Sequence, residues 1–159
     1  MHEFRYVRLF ADASGESHFQ DLVVSPDGEL SVPPAPPLRM RTLGPAVTVA
    51  LVGGDSGWHG GVAHPAPFHM LQSYLSGTVE VTASDGEARR FGPGSLLLLD
   101  DTHGKGHSTR VLDEDVVMLV TQLAGTEPDA GLATPPEQEA CTSPPAPTGP
   151  SSATITSTS

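Results

Sequence analysis

Glycine and proline interrupt this chain so often that long helices cannot form. The sequence has 17 glycines and 16 prolines, about a fifth of its 159 residues. Glycine destabilises a helix because it loses more backbone entropy than other residues, and proline because it lacks an N–H group and its ring clashes with the preceding turn. The pattern therefore predicts many short strands joined by turns rather than a helix bundle.

Alternating and β-branched apolar segments predict about nine short strands. They cover residues 4–10, 18–24, 46–52, 69–75, 78–84, 88–91, 95–99, 107–112 and 116–123. Ser76-Gly77 and Asp85-Gly86 indicate hairpin turns. Residues 32–38 contain four prolines, which favours an extended edge segment or a linker over a central strand. The fold class that follows is an all-β sandwich or jelly-roll barrel, with no choice between them at this point.

Composition divides the chain into a domain over residues 1–124 and a tail over residues 125–159. The tail holds seven prolines, twelve Ser or Thr residues and four acids, and it has no Lys or Arg. Its few large apolar side chains cannot offset the entropy of ordering, so we expect a disordered tail. The domain has 15 acidic and 8 basic residues, a net charge of −7 out of −11 for the whole chain.

The acidic charge and the single cysteine exclude several classes of function. A net charge of −11 argues against nucleic acid and against an anionic membrane as partners. No apolar run is long enough for a membrane helix or a secretory signal peptide. Cys141 is the one cysteine, so no internal disulfide can form, and we expect a cytoplasmic protein.

Two segments resemble the motifs of small single-domain cupins. The first is GWHGGVAHPAPFHMLQSYLSGTVEV over residues 57–81, and the second is FGPGSLLLLDDTHGKGH over residues 91–107. The phrases YLSGTVEV and FGPGS are typical of that superfamily, and FGPG followed by GKGH is similar to one subgroup of it. The resemblance implies a cupin-type jelly-roll barrel with a ligand cavity inside, assembled as a homodimer.

The chain departs from the cupin metal motif in three places. His64 falls on the first His of the HxH pair, and Ala66 stands where the second His is expected. Met70 occupies the position of the metal-binding Glu. His107 matches the His of the second motif, and Val111 stands at its Asn position. The resemblance therefore implies that two of the four usual ligands are retained and the carboxylate is lost.

Strand alternation predicts which neighbouring side chains contact a ligand. A regular strand from His64 to Tyr74 sends its even-numbered residues into the cavity, and those predicted to bind substrate are Phe68, Met70, Gln72 and Tyr74. Trp58, in the preceding glycine-rich loop, either covers the opening or caps the core. Lys105 is the one lysine of the chain and lies between two glycines, where it either approaches an anionic group of the substrate or is a solvated turn residue.

A metal site depends on which way His69 points. In a regular strand His69 faces away from the cavity, and no cofactor is expected. A one-residue bulge near Pro65 and Pro67 would turn it inward. His64, His69 and His107 would then form a three-His site for zinc, iron, manganese or nickel.

The retained imidazoles suggest proton transfer inside the barrel. His64 and His107 have the chemistry of an acid–base pair near neutral pH, and alternation turns one of Asp100 and Asp101 inward, for which we take Asp101. The first hypothesis is an isomerase, cyclase or dehydratase (a lyase) acting on a small natural-product intermediate, helped by confinement. The alternatives are a metal-dependent oxygenase with the three-His site, and a non-catalytic module that binds a small ligand.

Overall fold

The computed structural model describes residues 3–125, which are all-β as predicted. This range contains eleven strands and no helix. The predicted tail, apart from Gly125, lies outside the described residues. The strands are β1 (Phe4–Ala11), β2 (Ser17–Val24), β3 (Gly28–Val32), β4 (Ala35–Met40), β5 (Ala46–Asp55), β6 (Met70–Ser76), β7 (Val79–Ala83), β8 (Ala88–Phe91), β9 (Leu96–Asp100), β10 (His107–Val111) and β11 (Asp115–Leu123).

The strands form a sandwich-like arrangement of two main sheets. The six-stranded sheet has the order β2-β1-β9-β6-β11-β5. In it β1 and β9 run parallel, and all other neighbours are antiparallel. The three-stranded sheet has the order β10-β7-β8. The loop after β5 runs along the free edge of β10, where backbone bridges join His59 to Arg110 and His64 to His107.

Alternation along the strands builds one apolar core between the two main sheets. Leu97 and Leu99 of β9 are buried on the inner face of the six-stranded sheet, opposite Val79 and Val81 of the three-stranded sheet. The even-numbered residues of β9, ending with Asp100, belong to its outer face. The residue that follows Asp100 therefore points inward again.

The proline-rich segment forms a hairpin of its own, which the sequence did not predict. Strands β3 and β4 pair antiparallel, with Leu30 opposite Leu38, around a turn at Pro33-Pro34. They form a separate two-stranded sheet and join neither main sheet. The expectation that residues 32–38 stay out of a central strand is thus met, but as a hairpin, which we call the β3–β4 arm.

One of the two predicted hairpin turns is confirmed and the other is wrong. Asp85-Gly86 connects β7 to β8, which pair antiparallel. Ser76-Gly77 does not close a hairpin, because β6 pairs with β9 and β11 while β7 belongs to the three-stranded sheet. Gly77 carries the chain between sheets at φ +70°, and a Cβ there would lie 2.0 Å from the carbonyl oxygen of Asp115.

His18 joins the turns of both main sheets through two carboxylates. Its Nδ1 lies 2.7 Å from Asp85 after β7, and its Nε2 lies 3.1 Å from Asp12 after β1. Both nitrogens can donate only in the imidazolium form. The hydrogen bonds to Asp12 and then to Asp85 raise the pKa of His18. The pKa of Asp12 is lowered, first by the Ser14 hydroxyl and then by His18.

Replacing Gly77 by alanine should destabilise the fold more than the same change at another positive-φ glycine. We expect Gly77→Ala to lower the free energy of unfolding by roughly 3–5 kcal/mol, because it combines backbone strain with a clash against backbone atoms. Gly86→Ala has a similar φ of +93° and nothing within 4 Å, so it should cost only about 1–2 kcal/mol. Urea denaturation measures both. Equal losses would contradict the role of the Asp115 contact.

The stabilising effect of His18 should depend on pH. Because the pKa of His18 is raised in the folded state, its contribution is complete below the unfolded pKa of about 6.5 and is lost as pH rises through the higher folded value. The thermal midpoint of the wild type should therefore exceed that of His18→Gln by more at about pH 6 than at about pH 9. His103→Gln, at an exposed histidine, is the control. A difference that stays constant over this range would contradict the prediction.

Candidate functional site

The centre of the candidate site is a buried pair of side chains, Asp101 and His107. Asp101 follows β9 of the six-stranded sheet, and His107 begins β10 of the three-stranded sheet. Their side chains meet inside the sandwich, where His107 Nδ1 lies 2.7 Å from Asp101 Oδ2. Asp101 is 0% exposed and His107 is 5% exposed. The carboxylate accepts the Nδ1–H bond, so Nε2 carries the lone pair of the neutral ring.

Backbone hydrogen bonds hold the two strands that carry this pair. His64 and His107 exchange N–H···O bonds of 3.0 and 3.1 Å, and the Ala66 N–H donates to the Asp101 carbonyl at 3.0 Å. Gly106 approaches so closely that a Cβ on it would lie 2.0 Å from the carbonyl carbon of His64. The segment from His64 to Ala66 is therefore pressed against the ends of both strands, which fixes the side chains of Asp101 and His107.

His64 places a second imidazole beside the pair. The ring centroids of His64 and His107 are 5.7 Å apart. His64 is exposed, and its Nδ1 lies 3.2 Å from the carbonyl oxygen of Val62. In both rings Nδ1 is thus the nitrogen bonded to protein, and Nε2 is left for another partner. This arrangement fits a transfer of protons between a ligand and two imidazoles.

The second carboxylate oxygen of Asp101 is the unusual atom of the site. Within the described residues, Asp101 Oδ1 is buried and accepts no hydrogen bond. Leaving a buried acceptor unsatisfied costs roughly 1–3 kcal/mol, and more for a charged group. Buried acceptors without a hydrogen bond are uncommon in folded proteins, and this one lies next to His107.

Gln72 and Tyr74 bring polar atoms to the inner face of the six-stranded sheet, on the strand next to β9. The Tyr74 hydroxyl donates to Gln72 Oε1 at 2.7 Å, and Gln72 Nε2 lies 3.8 Å from the sulfur of Met70. Tyr74 and Met70 are buried in the core, and Gln72 is half-buried. Burial raises the pKa of Tyr74, so its hydroxyl stays neutral and can act as a hydrogen-bond donor.

The core leaves part of the inner face open over β11 and β5. Val120 lies beside Gln72, and Met118 lies beside Tyr74, and all of these residues except Tyr74 are only half-buried. Next to them on β5 are Ala50 and Val52, which are exposed. We call this open surface the inner groove; its residues are Gln72, Met118, Val120, Ala50 and Val52. The sequence did not single out Met118 and Val120, because the continuous apolar run of β11 hides its alternation.

Three predicted substrate-binding residues lie outside the core. Trp58 is half-exposed, and its ring lies against Gly54 at the end of β5. Phe68 is also partly exposed. The Lys105 ammonium pairs with Glu16 at the surface. The carboxylate that engages Lys105 is 89 residues away in sequence, so local spacing gave no sign of it.

His69 lies on the opposite face of the sheet from the buried pair. Its Nδ1 bonds Asp100 Oδ1, and Arg8 Nε donates to Asp100 Oδ2 at 2.8 Å. Sequence analysis did not single out Arg8, although its position between Val7 and Leu9 in an alternating strand places it on the outer face. Asp100 and Asp101 thus serve two separate histidines, one on each side of β9.

The donor set does not complete the three-His metal site. His64 and His107 are adjacent, but the structure places His69 with Asp100 on the outer face. Over residues 3–125, no group of three or more His, Cys, Asp or Glu side chains is arranged to hold a metal ion. The described residues therefore offer two adjacent imidazoles, and His69 does not join them.

Comparisons with known proteins identify no function for this chain. No family model matches the chain, and no curated protein matches it. Among solved structures, the chain is similar to a conserved protein of unknown function from Streptococcus pyogenes, with 22% identity and a TM-score of 0.40 over 56% of this chain and 72% of the other. Residues 3–125 contain no helix of the length and apolarity that a membrane span requires.

Removing the Asp101 carboxylate should destabilise the fold. Asp101→Ala leaves His107 Nδ1 buried without its acceptor, and we expect a loss of roughly 2–4 kcal/mol in the free energy of unfolding. Asp101→Asn is the matched variant, because its amide oxygen can still accept the bond, and it should lose less. Urea denaturation of the three proteins measures both. An Ala variant as stable as the wild type would contradict the importance of this bond.

Proposed function

We propose that this protein is an acid–base enzyme of isomerase, cyclase or dehydratase type, with a cupin-type jelly-roll fold. The observation that supports it is the buried Asp101–His107 hydrogen bond, which orients the imidazole and leaves its Nε2 for a ligand. A buried carboxylate also stabilises the imidazolium that forms when the ring takes a proton. This is the arrangement that general-base catalysis by histidine requires.

In the proposed reaction, His107 and His64 exchange protons with one substrate. His107 Nε2 takes a proton from a carbon next to a carbonyl group, and the electron pair of that C–H bond moves toward the carbonyl oxygen. In an isomerisation, His64 or His107 returns a proton at another carbon. In a dehydration, the proton goes to the leaving hydroxyl group, which departs as water. Each course balances without an oxidant or a reductant.

The inner groove supports a small, mostly apolar substrate. Met118, Val120 and Val52 offer apolar contact, while Gln72 and the neutral Tyr74 hydroxyl supply the few polar groups that orient a ligand. Confinement between the sheets would hold a flexible molecule in a reactive shape. A natural-product intermediate has this combination of apolar skeleton and carbonyl or hydroxyl groups.

The cupin assignment and the choice of chemistry have separate support. The retained His64 and His107 of the two motifs lie side by side, which agrees with the resemblance in sequence. The position of His69 beside Asp100 favours proton transfer over the metal-dependent oxygenase, since that enzyme would need the third imidazole.

The test is a search for conversion of small molecules in deuterated water. The full chain is incubated with a natural-product extract, and mass spectrometry follows which compounds gain deuterium or lose water. We expect such a conversion with the wild type and a reduction of roughly a hundredfold or more with His107→Asn, because the proton acceptor is gone. His103→Asn, at an exposed histidine in the neighbouring loop, is the control and should match the wild type. Circular dichroism should show β-structure in all three.

Three results would overturn the proposal. Unchanged conversion by His107→Asn would remove this residue from the mechanism. Conversion that stops on chelation and returns with a divalent ion would favour the metal-dependent oxygenase. A compound that binds the wild type tightly but is recovered unchanged, without deuterium, would favour the non-catalytic binding module.

A further inference from the structure

The turn between β1 and β2 is packed against the loop that leads into His107. The backbone N–H of Lys105 donates to the carbonyl oxygen of Gly15 at 2.8 Å. Gly15 and Gly104 both have positive φ angles, +82° and +80°, and a Cβ on Gly104 would collide with the Gly15 carbonyl. Because the two backbones touch where only glycine fits, the position of the loop depends on that of the turn.

Ser17 supplies the buried part of this contact. It is the first residue of β2 and is 0% exposed. Its hydroxyl donates to the carbonyl oxygen of Gly106 at 2.6 Å and accepts from the backbone N–H of Ser84 at 2.7 Å. A hydroxyl has one hydrogen to donate, and Ser17 donates it to the residue directly before His107. Because Gly106 is also buried, loss of this donor would leave a buried carbonyl without this partner.

The peptide group between Gly106 and His107 is bonded on both sides. Ser17 donates to its oxygen, and its N–H, which belongs to His107, donates to the carbonyl oxygen of His64 at 3.1 Å. A peptide group is planar, so hydrogen bonds at its oxygen and at its nitrogen fix its orientation. The Cα of His107 follows directly, and its imidazole leaves the backbone in the direction that meets Asp101 at 2.7 Å.

Charged side chains join the same turn and loop at the surface. The Lys105 ammonium pairs with Glu16, and the Ser84 hydroxyl donates to Glu16 Oε1 at 2.6 Å. These hydrogen bonds lower the pKa of Glu16, with that from Lys105 as the larger cause. Lys105 is 62% exposed, and ion pairs in contact with water contribute little to stability. The buried hydroxyl of Ser17 is therefore the stronger connection between the turn and His107.

We propose that Ser17 is a positioning residue of the candidate site, whose hydroxyl holds the His107 imidazole in the orientation that reaches Asp101. Ser17 acts through the backbone of Gly106. Its effect on catalysis rests on the proposed function, whereas the orientation of His107 can be measured without a substrate. A displacement of about 1 Å from the reacting geometry can cost a factor of about a hundred in rate. A hydrogen bond to the backbone can thus affect the chemistry as well as the stability.

The first experiment follows hydrogen exchange of the His107 Nδ1–H by NMR, in the full chain with isotope-labelled histidine. Ser17→Ala removes the hydroxyl, and we expect exchange to become roughly tenfold faster, because local opening around His107 no longer breaks that hydrogen bond. Ser17→Thr keeps a hydroxyl and should restore slow exchange. Ser84→Ala is the matched control, since it removes a hydrogen bond to Glu16 of the same turn and leaves the Gly106 contact in place. It should exchange like the wild type.

The second experiment measures conversion in deuterated water by the same variants, with the extract that tests the proposed function. Ser17→Ala should convert roughly tenfold more slowly, because its base is less well oriented. Ser17→Thr and Ser84→Ala should stay close to the wild type. Urea denaturation gives the stability of each variant. A purely structural role of the turn would give Ser17→Ala and Ser84→Ala the same exchange and the same conversion.

Four outcomes complete the test. Slow exchange in Ser17→Ala, or equally fast exchange in Ser84→Ala, would overturn the positioning role. Fast exchange in Ser17→Ala with unchanged conversion would overturn its effect on catalysis. If exchange responds as expected but no protein, the wild type included, converts any compound, the proposed function fails and the positioning of His107 by Ser17 stands. If circular dichroism shows that Ser17→Ala is unfolded, Ser17→Cys takes its place, because its thiol fills the site but is only a weak donor.

Discussion

The hydrogen bond between Asp101 and His107 joins the two main sheets inside the sandwich, and the candidate site depends on it. Asp101 follows the six-stranded sheet and His107 opens the three-stranded sheet. The same residues receive backbone hydrogen bonds from the segment between His64 and Ala66. Without the carboxylate, the imidazole would be buried with no acceptor for its Nδ1–H. Fold and candidate chemistry therefore rest on the same contact.

Alternation in β9 gives two adjacent carboxylates opposite environments. Asp100 faces outward to Arg8 and His69, and its charge is balanced by the guanidinium. Asp101 faces inward, where its one partner among the described side chains is an imidazole and its second oxygen is unsatisfied. Arg8 and His69 thus share Asp100, whereas the imidazole of His107 has the Asp101 carboxylate to itself among the described side chains. This difference is why the inner pair, and not the outer one, is the candidate for catalysis.

Local signals in the sequence predicted the strands and one face of the site, but not the long-range pairings. Alternation correctly placed Met70 and Tyr74 of β6 in the interior. The regular strand predicted from His64 was wrong over residues 64–69, because β6 begins at Met70 and His64 and Phe68 are exposed. The Asp85-Gly86 hairpin depends only on its immediate neighbours and was predicted. Ser76-Gly77 has similar turn residues, but the partners of β6 come from distant strands, so the hairpin was wrong. The pairing of Arg8 with Asp100 spans 92 residues, and no local pattern contains that information.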